Sequence, residues 1–109
     1  MSLEKPIGPE AILEKKKKYI MPCLAHFYKE PRQFVKGEMQ YLFDSEGRKY
    51  LDCFAGVSVI NCGHCNPEIN AEVVKQVQSL QHVCNTYLTE NFVNLAEKLA
   101  EVTPGDLQK

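Results

Sequence analysis

The densest chemistry in the chain is Cys62-Gly63-His64-Cys65, a C-x-x-C with a histidine inside it. Two thiols at that spacing make half of a zinc site or a redox dithiol. A structural zinc site takes four ligands, and no second C-x-x-C or H-x-x-x-H accompanies this one; Cys53, Cys84, His26 and His82 stand apart. A redox dithiol belongs at a helix N-terminus behind a buried strand, whereas here Asn66-Pro67 sets the helix start just after the motif. The residues favour two buried, reduced, metal-free thiols beside a tight Gly-His turn. His64 has the chemistry of a general base, but its place between a glycine and a capped helix better suits a ring bonded to loop backbone. Asp52 closes a strand and is expected to accept N–H groups of the loop that follows, since no second acid lies near it in sequence. Phosphate-loop, dinucleotide and serine-nucleophile motifs are missing from the sequence.

These residues must be positioned by the elements around them. Pro9 suits the first turn of a helix with a thin apolar stripe, Ile12, Leu13 and Ile20, that Met21-Pro22 stops. Residues 1–8 ahead of it are expected to form a flexible lead. From Gln33 to Phe54 the period becomes two. Met39, Tyr41 and Phe43 alternate with Gln40 and Leu42, Asp44-Ser45-Glu46-Gly47 makes a turn, and Lys49 to Phe54 returns. Gln33 to Lys36 adds a third strand through a bend at Gly37. Ala55 to Cys65 is expected to be an irregular, constrained loop in which Gly56 and Gly63 permit close backbone approach. Asn66 caps a helix that runs to about Leu80 with Ile69, Val73, Val77 and Leu80 on one face. After a linker from Gln81 to Leu88, Thr89 caps another, whose buried face is Phe92, Leu95, Ala96, Leu99 and Val102. Three helices and one small meander cannot cover one another's apolar faces, which predicts a piece of a larger protein.

The bulk composition narrows the function class. With 44% hydrophobic and 25% charged residues and a net charge of −1, the 109 residues give no electrostatic reason to bind nucleic acid or an anionic membrane. Lys15 to Lys18 is expected to be a solvated helix face with an i,i+4 pair from Glu14 to Lys18. Five cysteines, an odd count, with no targeting or membrane-spanning stretch predict reduced thiols and a cytoplasmic protein.

One family shares this texture. The run Tyr41-Leu42-Phe43-Asp44-Ser45-Glu46-Gly47-Arg48-Lys49-Tyr50-Leu51-Asp52, then Gly56, then Gly63-His64-Cys65-Asn66-Pro67, resembles the N-terminal region of class III (ω-amino-acid type) pyridoxal-phosphate aminotransferases. That family reads D-x-x-G-x-x-Y-L-D through a hairpin, then a small-residue loop, then G-H-x-H-P opening a helix. Asn85 to Asn91, leading into Leu95-Ala96-Glu97-Lys98-Leu99, is similar to its next linker and helix. Asn66 departs from the family's second histidine, and asparagine is an equally good helix cap.

The resemblance implies an α/β protein of fold-type I, with this chain as its N-terminal portion: helix, small antiparallel meander, ordered loop, two helices. Residues 1–84 would be the arm and part of the small domain, and 85–109 the start of the large cofactor-binding domain. It implies an enzyme that moves an amino group from an amino acid or ω-amino acid to a keto acid with pyridoxal 5'-phosphate, as a homodimer. Alanine with glyoxylate, 4-aminobutyrate or an N-acetylated diamine fit as substrates, and apolar Val57 disfavours ornithine. Gly56, Val57, Tyr87 and Leu88 match positions that line the substrate pocket. No residue here matches a catalytic, cofactor-binding or metal position, the Schiff-base lysine being expected beyond residue 109, so these residues alone are expected to be inactive. Phospho-lyases of the same family share the Y-L-D-C texture and form the alternative, ahead of a small zinc or redox C-x-x-C module.

Overall fold

A computed structural model describes residues 5–107. The elements run α1 (Pro9–Tyr19), β1 (Phe34–Glu38), β2 (Tyr41–Asp44), β3 (Lys49–Leu51), α2 (Ala55–Ser58), α3 (Pro67–Ser79) and α4 (Glu90–Val102). Apart from α2, this is the expected order; the lead expected over residues 1–8 lies partly outside the described residues. The chain divides into two compact units, residues up to Glu72 and residues from Val73 onward, with the division falling inside α3.

In the first unit α1 begins at Pro9, and the amide of Gly8 donates to Gln33 Oε1 at 2.9 Å, tying the helix start to the approach of β1. The expected Glu14–Lys18 pair is replaced by Glu14–Lys17 at 3.0 Å, an i,i+3 pair that shares the same helix face. The sheet is antiparallel in the order β1-β2-β3, with Leu42 opposite Tyr50 and Gly37 opposite Leu42. β1 passes straight through Gly37 to Glu38, where a bend was expected. β2 starts at Tyr41, because Met39 (φ 49°) leaves the ladder to bridge to His64. β3 stops at Leu51 instead of Phe54, because the Asp52 side chain takes the amides of Phe54 and Ala55.

Asp44, only 3% exposed, anchors the hairpin. Its Oδ1 accepts the amides of Glu46 and Arg48, each at 2.9 Å, and its Oδ2 accepts the Tyr50 hydroxyl at 2.8 Å. Gly47 supplies the left-handed turn residue (φ 82°), and Phe34 packs edge-to-face on Tyr50 with ring centroids 5.4 Å apart.

Asn66 caps α3 as expected, its Oδ1 accepting the Glu68 amide at 3.0 Å. Thr89 precedes α4 in an extended conformation but makes no side-chain cap bond. The apolar faces expected to be buried are not. Ile69, Val73 and Val77 on α3 and Phe92, Leu95 and Leu99 on α4 are 47–69% exposed, and no apolar side chain among the described residues is buried. An amphipathic helix buries its stripe only against a facing element, and no such element covers these two among the described residues.

Candidate functional site

The site is built on the loop that leaves β3. Asp52 Oδ1 accepts the amides of Phe54 at 2.9 Å and Ala55 at 3.0 Å, as its place after a strand predicts. Its Oδ2 lies 2.6 Å from His64 Nε2. The expected bond from the His64 ring to loop backbone is therefore corrected. The ring binds the Asp52 carboxylate, while the backbone of His64 pairs with Met39, its amide donating to the Met39 carbonyl at 2.7 Å and its carbonyl accepting the Met39 amide at 2.8 Å. The His64 bond first, then the amides of Phe54 and Ala55, hold the Asp52 carboxyl below its ordinary range. Being ionised, that carboxylate only accepts, so His64 carries its proton on Nε2.

Two glycines admit this packing. A Cβ on Gly37 would come within 2.7 Å of His64 Cβ, and one on Gly63 within 3.0 Å of Met39 Cα. Gly63 also sits at φ 89°, where other residues are strained. Both sequence and structure thus put glycine where two backbone segments meet.

Between the Asp52 carboxylate and His64 the chain makes α2, expected as irregular loop. Ala55, Gly56, Val57 and Ser58 all have positive φ, 49°, 60°, 61° and 63°, so this helical turn is left-handed. The Val57 amide donates to the Phe54 carbonyl at 3.0 Å, and the Val59 and Ile60 amides both donate to the Ala55 carbonyl, at 2.8 and 3.0 Å. A left-handed conformation costs about 1–2 kcal/mol for each residue with a Cβ. Beside the turn lies a cavity of about 410 Å³ lined by Asp52, Ala55, Ile60, Cys62 and His64 among others.

The site residues expected from sequence fall in both units. Gly56 and Val57 are adjacent in the left-handed turn, with Val57 74% exposed, and neither lines that cavity. Tyr87 and Leu88 lie in the linker before α4 and are exposed, Leu88 at 95%. Cys62 and Cys65, expected buried, are exposed, because the packed contacts of the motif run through Gly63 and His64. No group of three or more His, Cys, Asp or Glu side chains among the described residues could hold a metal ion. In the linker, the Thr86 hydroxyl and amide hold the Cys84 thiol below its ordinary range. The Asp52–His64 pair escaped sequence reasoning: each residue stood out alone, and nothing local signals a contact across twelve positions.

Residues 25–109 match the model of the family described as aminotransferase class-III. The chain belongs to that family. Over 103 residues this class III aminotransferase chain is 46% identical to alanine–glyoxylate aminotransferase 2 homolog 2, mitochondrial, of Arabidopsis thaliana, covering 93% of the chain and 22% of that protein. It is 34% identical over 102 residues to the Homo sapiens alanine–glyoxylate aminotransferase 2, mitochondrial, covering 94% of the chain and 20% of the relative. Among solved structures it is similar to a phospholyase from Arthrobacter in complex with phosphoethanolamine, with a TM-score of 0.80 at 28% identity, covering 90% of this chain and 22% of the other. The chain thus spans about a fifth of the length of its curated relatives. Its fold is that of an N-terminal portion of the fold-type I enzymes, with four helices and a small antiparallel three-stranded sheet among the described residues.

Proposed function

We propose that this class III chain is the N-terminal part of a pyridoxal-phosphate enzyme that transfers the amino group of an amino acid or ω-amino acid to a keto acid, of the alanine–glyoxylate type. The observation that carries the reading is the 46% identity to the Arabidopsis alanine–glyoxylate relative across nearly the whole chain. The cofactor, when bound, supplies the electron sink for the carbon that loses its proton. On this reading the described residues do not make a complete cofactor cup, and five of their lysines are engaged with other groups. Lys17 pairs with Glu14, Lys36 with Glu38 and Lys98 with Glu101, Lys16 donates to the Leu24 carbonyl, and Lys49 lies over the Tyr41 ring. We therefore assign the cofactor lysine and phosphate cup to other parts of the full-length protein, and regard these 109 residues alone as inactive.

In this reading residues 1–84 belong to the arm and small domain, and 85–109 open the large domain. Gly56, Val57, Tyr87 and Leu88 line the amino-donor pocket, and the enzyme works as a homodimer. No helix among the described residues is long and apolar enough to cross a membrane. A cytoplasmic location remains part of the proposal, and the mitochondrial names of the relatives make imaging of a tagged full-length protein its test.

The activity test uses the purified full-length protein with pyridoxal phosphate. Alanine and glyoxylate should yield pyruvate and glycine. A second reading, a phospho-lyase, is favoured by the likeness to the Arthrobacter phospholyase. Release of phosphate from phosphoethanolamine, with no amino transfer from any donor, would establish it instead. Val57→Tyr should change the ratio of kcat/KM between amino donors by about tenfold, with little change in melting temperature. Tyrosine, unlike valine, is not branched at Cβ and fits a left-handed position no worse. An equal loss with every donor together with a large fall in melting temperature would count against the pocket placement.

A further inference from the structure

We infer that Asp52 is a positioning residue for substrate selection, its single carboxylate holding the left-handed turn that carries Gly56 and Val57 in register with the sheet. The inference rests on the reading of that turn as a wall of the amino-donor pocket.

A run of left-handed residues does not hold itself. Three of the four, Ala55, Val57 and Ser58, carry a Cβ, and each pays the steric cost of that region. Such strain persists only where surrounding structure over-determines the backbone. The turn's own packing does not, since Val57 is 74% exposed and Phe54 64%. The turn has backbone bonds of its own, from the amides of Val57, Val59 and Ile60, and Asp52 supplies the constraint that ties them to the sheet. With the amides of Phe54 and Ala55 both donating to Oδ1, the chain must fold sharply at Phe54, directly before the first left-handed residue.

The carboxylate is itself fixed on two sides. The Asp52 amide donates to the Gln40 carbonyl at 2.9 Å, which ties it to the approach of β2. Oδ2 meets His64 Nε2, and His64 is pinned by its paired bonds to Met39 and by the bare Cα of Gly37 against its side chain. Asp52 and His64 side chains are only 10% and 20% exposed. Both ends of the loop are thereby referenced to the sheet, so the placement of Val57 is set through the backbone by groups outside the turn. His64 acts as a strut for Asp52, with no proton to move in this role.

The test uses the full-length holoenzyme and two readouts: hydrogen exchange of the peptide spanning residues 55–60, and the kcat/KM ratio for alanine against 4-aminobutyrate. Asp52→Ala should raise exchange across the turn at least about tenfold and move the donor ratio by about tenfold or more. Asp52→Asn keeps an oxygen for the two amides and an N–H₂ that His64 accepts once its proton moves to Nδ1, so it should restore most of the protection. His64→Gln removes the strut and leaves the Oδ1 bonds; it should give a smaller rise in exchange, and it serves if Asp52→Ala does not fold. Unchanged exchange and donor ratio in Asp52→Ala, or no recovery in Asp52→Asn, would overturn the inference while a Val57→Tyr shift left the pocket reading standing. A loosened turn with neither Val57→Tyr nor Asp52→Ala moving the donor ratio would instead sink the pocket reading, and the selection role with it.

Discussion

Asp44 and Asp52 each stand at the end of a strand, and each divides its carboxylate in the same way. Oδ1 accepts two backbone amides of the following turn, and Oδ2 meets a ring-bearing side chain, Tyr50 in one case and His64 in the other. The consequences differ. Asp44 closes a hairpin with its partner six residues on, around a turn whose single left-handed residue is a glycine. Asp52 reaches twelve residues along the chain and holds a turn in which three left-handed residues carry a side chain. The first turn would form with modest help, whereas the second runs against the preferences of its own residues. The same bonding device secures the hairpin at one strand end and, at the other, shapes the exposed loop that we propose lines the amino-donor pocket.

The largest effect should separate the two on stability. Asp44→Ala removes a buried carboxylate and leaves a half-buried hydroxyl and two amides without their acceptor, and should lower the melting temperature of the full-length protein further than Asp52→Ala does. It should leave the donor ratio unchanged. A selectivity change from Asp44→Ala as large as that from Asp52→Ala would erase the distinction between the two turns. Next, Gly37→Ala drives a methyl into His64 without touching either carboxylate, and should cost about 1–3 kcal/mol in a denaturant melt. It should also loosen the peptide spanning residues 55–60 while sparing the Asp44 turn.

Acid sharpens the comparison further. The His64 bond and the amides of Phe54 and Ala55 hold Asp52 below its ordinary value of 3.8. At Asp44 burial pushes the carboxyl up, but the Tyr50 hydroxyl, the Arg48 and Glu46 amides and the Arg48 charge outweigh it, so it too lies below 3.8. A carboxyl lowered on folding adds stability that is fully present above its unfolded pKa and is lost as pH falls through the folded one. Both turns should therefore keep their exchange protection down to the ordinary carboxylate range and release it only below. Loss of protection at either turn well above pH 4 would contradict the bonding described. The smallest effect is expected outside both turns: Asn66→Ala removes the α3 cap for about 1 kcal/mol and should not change donor preference.

Local preference made much of the fold legible. Pro9, the turn at Gly47, the Asn66-Pro67 helix start and the Thr103-Pro104-Gly105 stop each act within a few residues, where steric and capping rules operate. The Asp52 grip on the following amides was legible for the same reason. Helix faces were legible as stripes, but not their burial, because burial depends on what faces the stripe. The sequence by itself also determined membership in the family, since the hairpin and Gly-His motifs keep their order and spacing. Only the tertiary structure decided that Met39 leaves the sheet to pair with His64, that the His64 ring turns to Asp52, that the cysteines beside it face outward, and that residues 55–58 wind left-handed. Each of these follows from where separate segments meet in space, and a left-handed turn opposed by its own side chains can be stable only when those distant partners hold it.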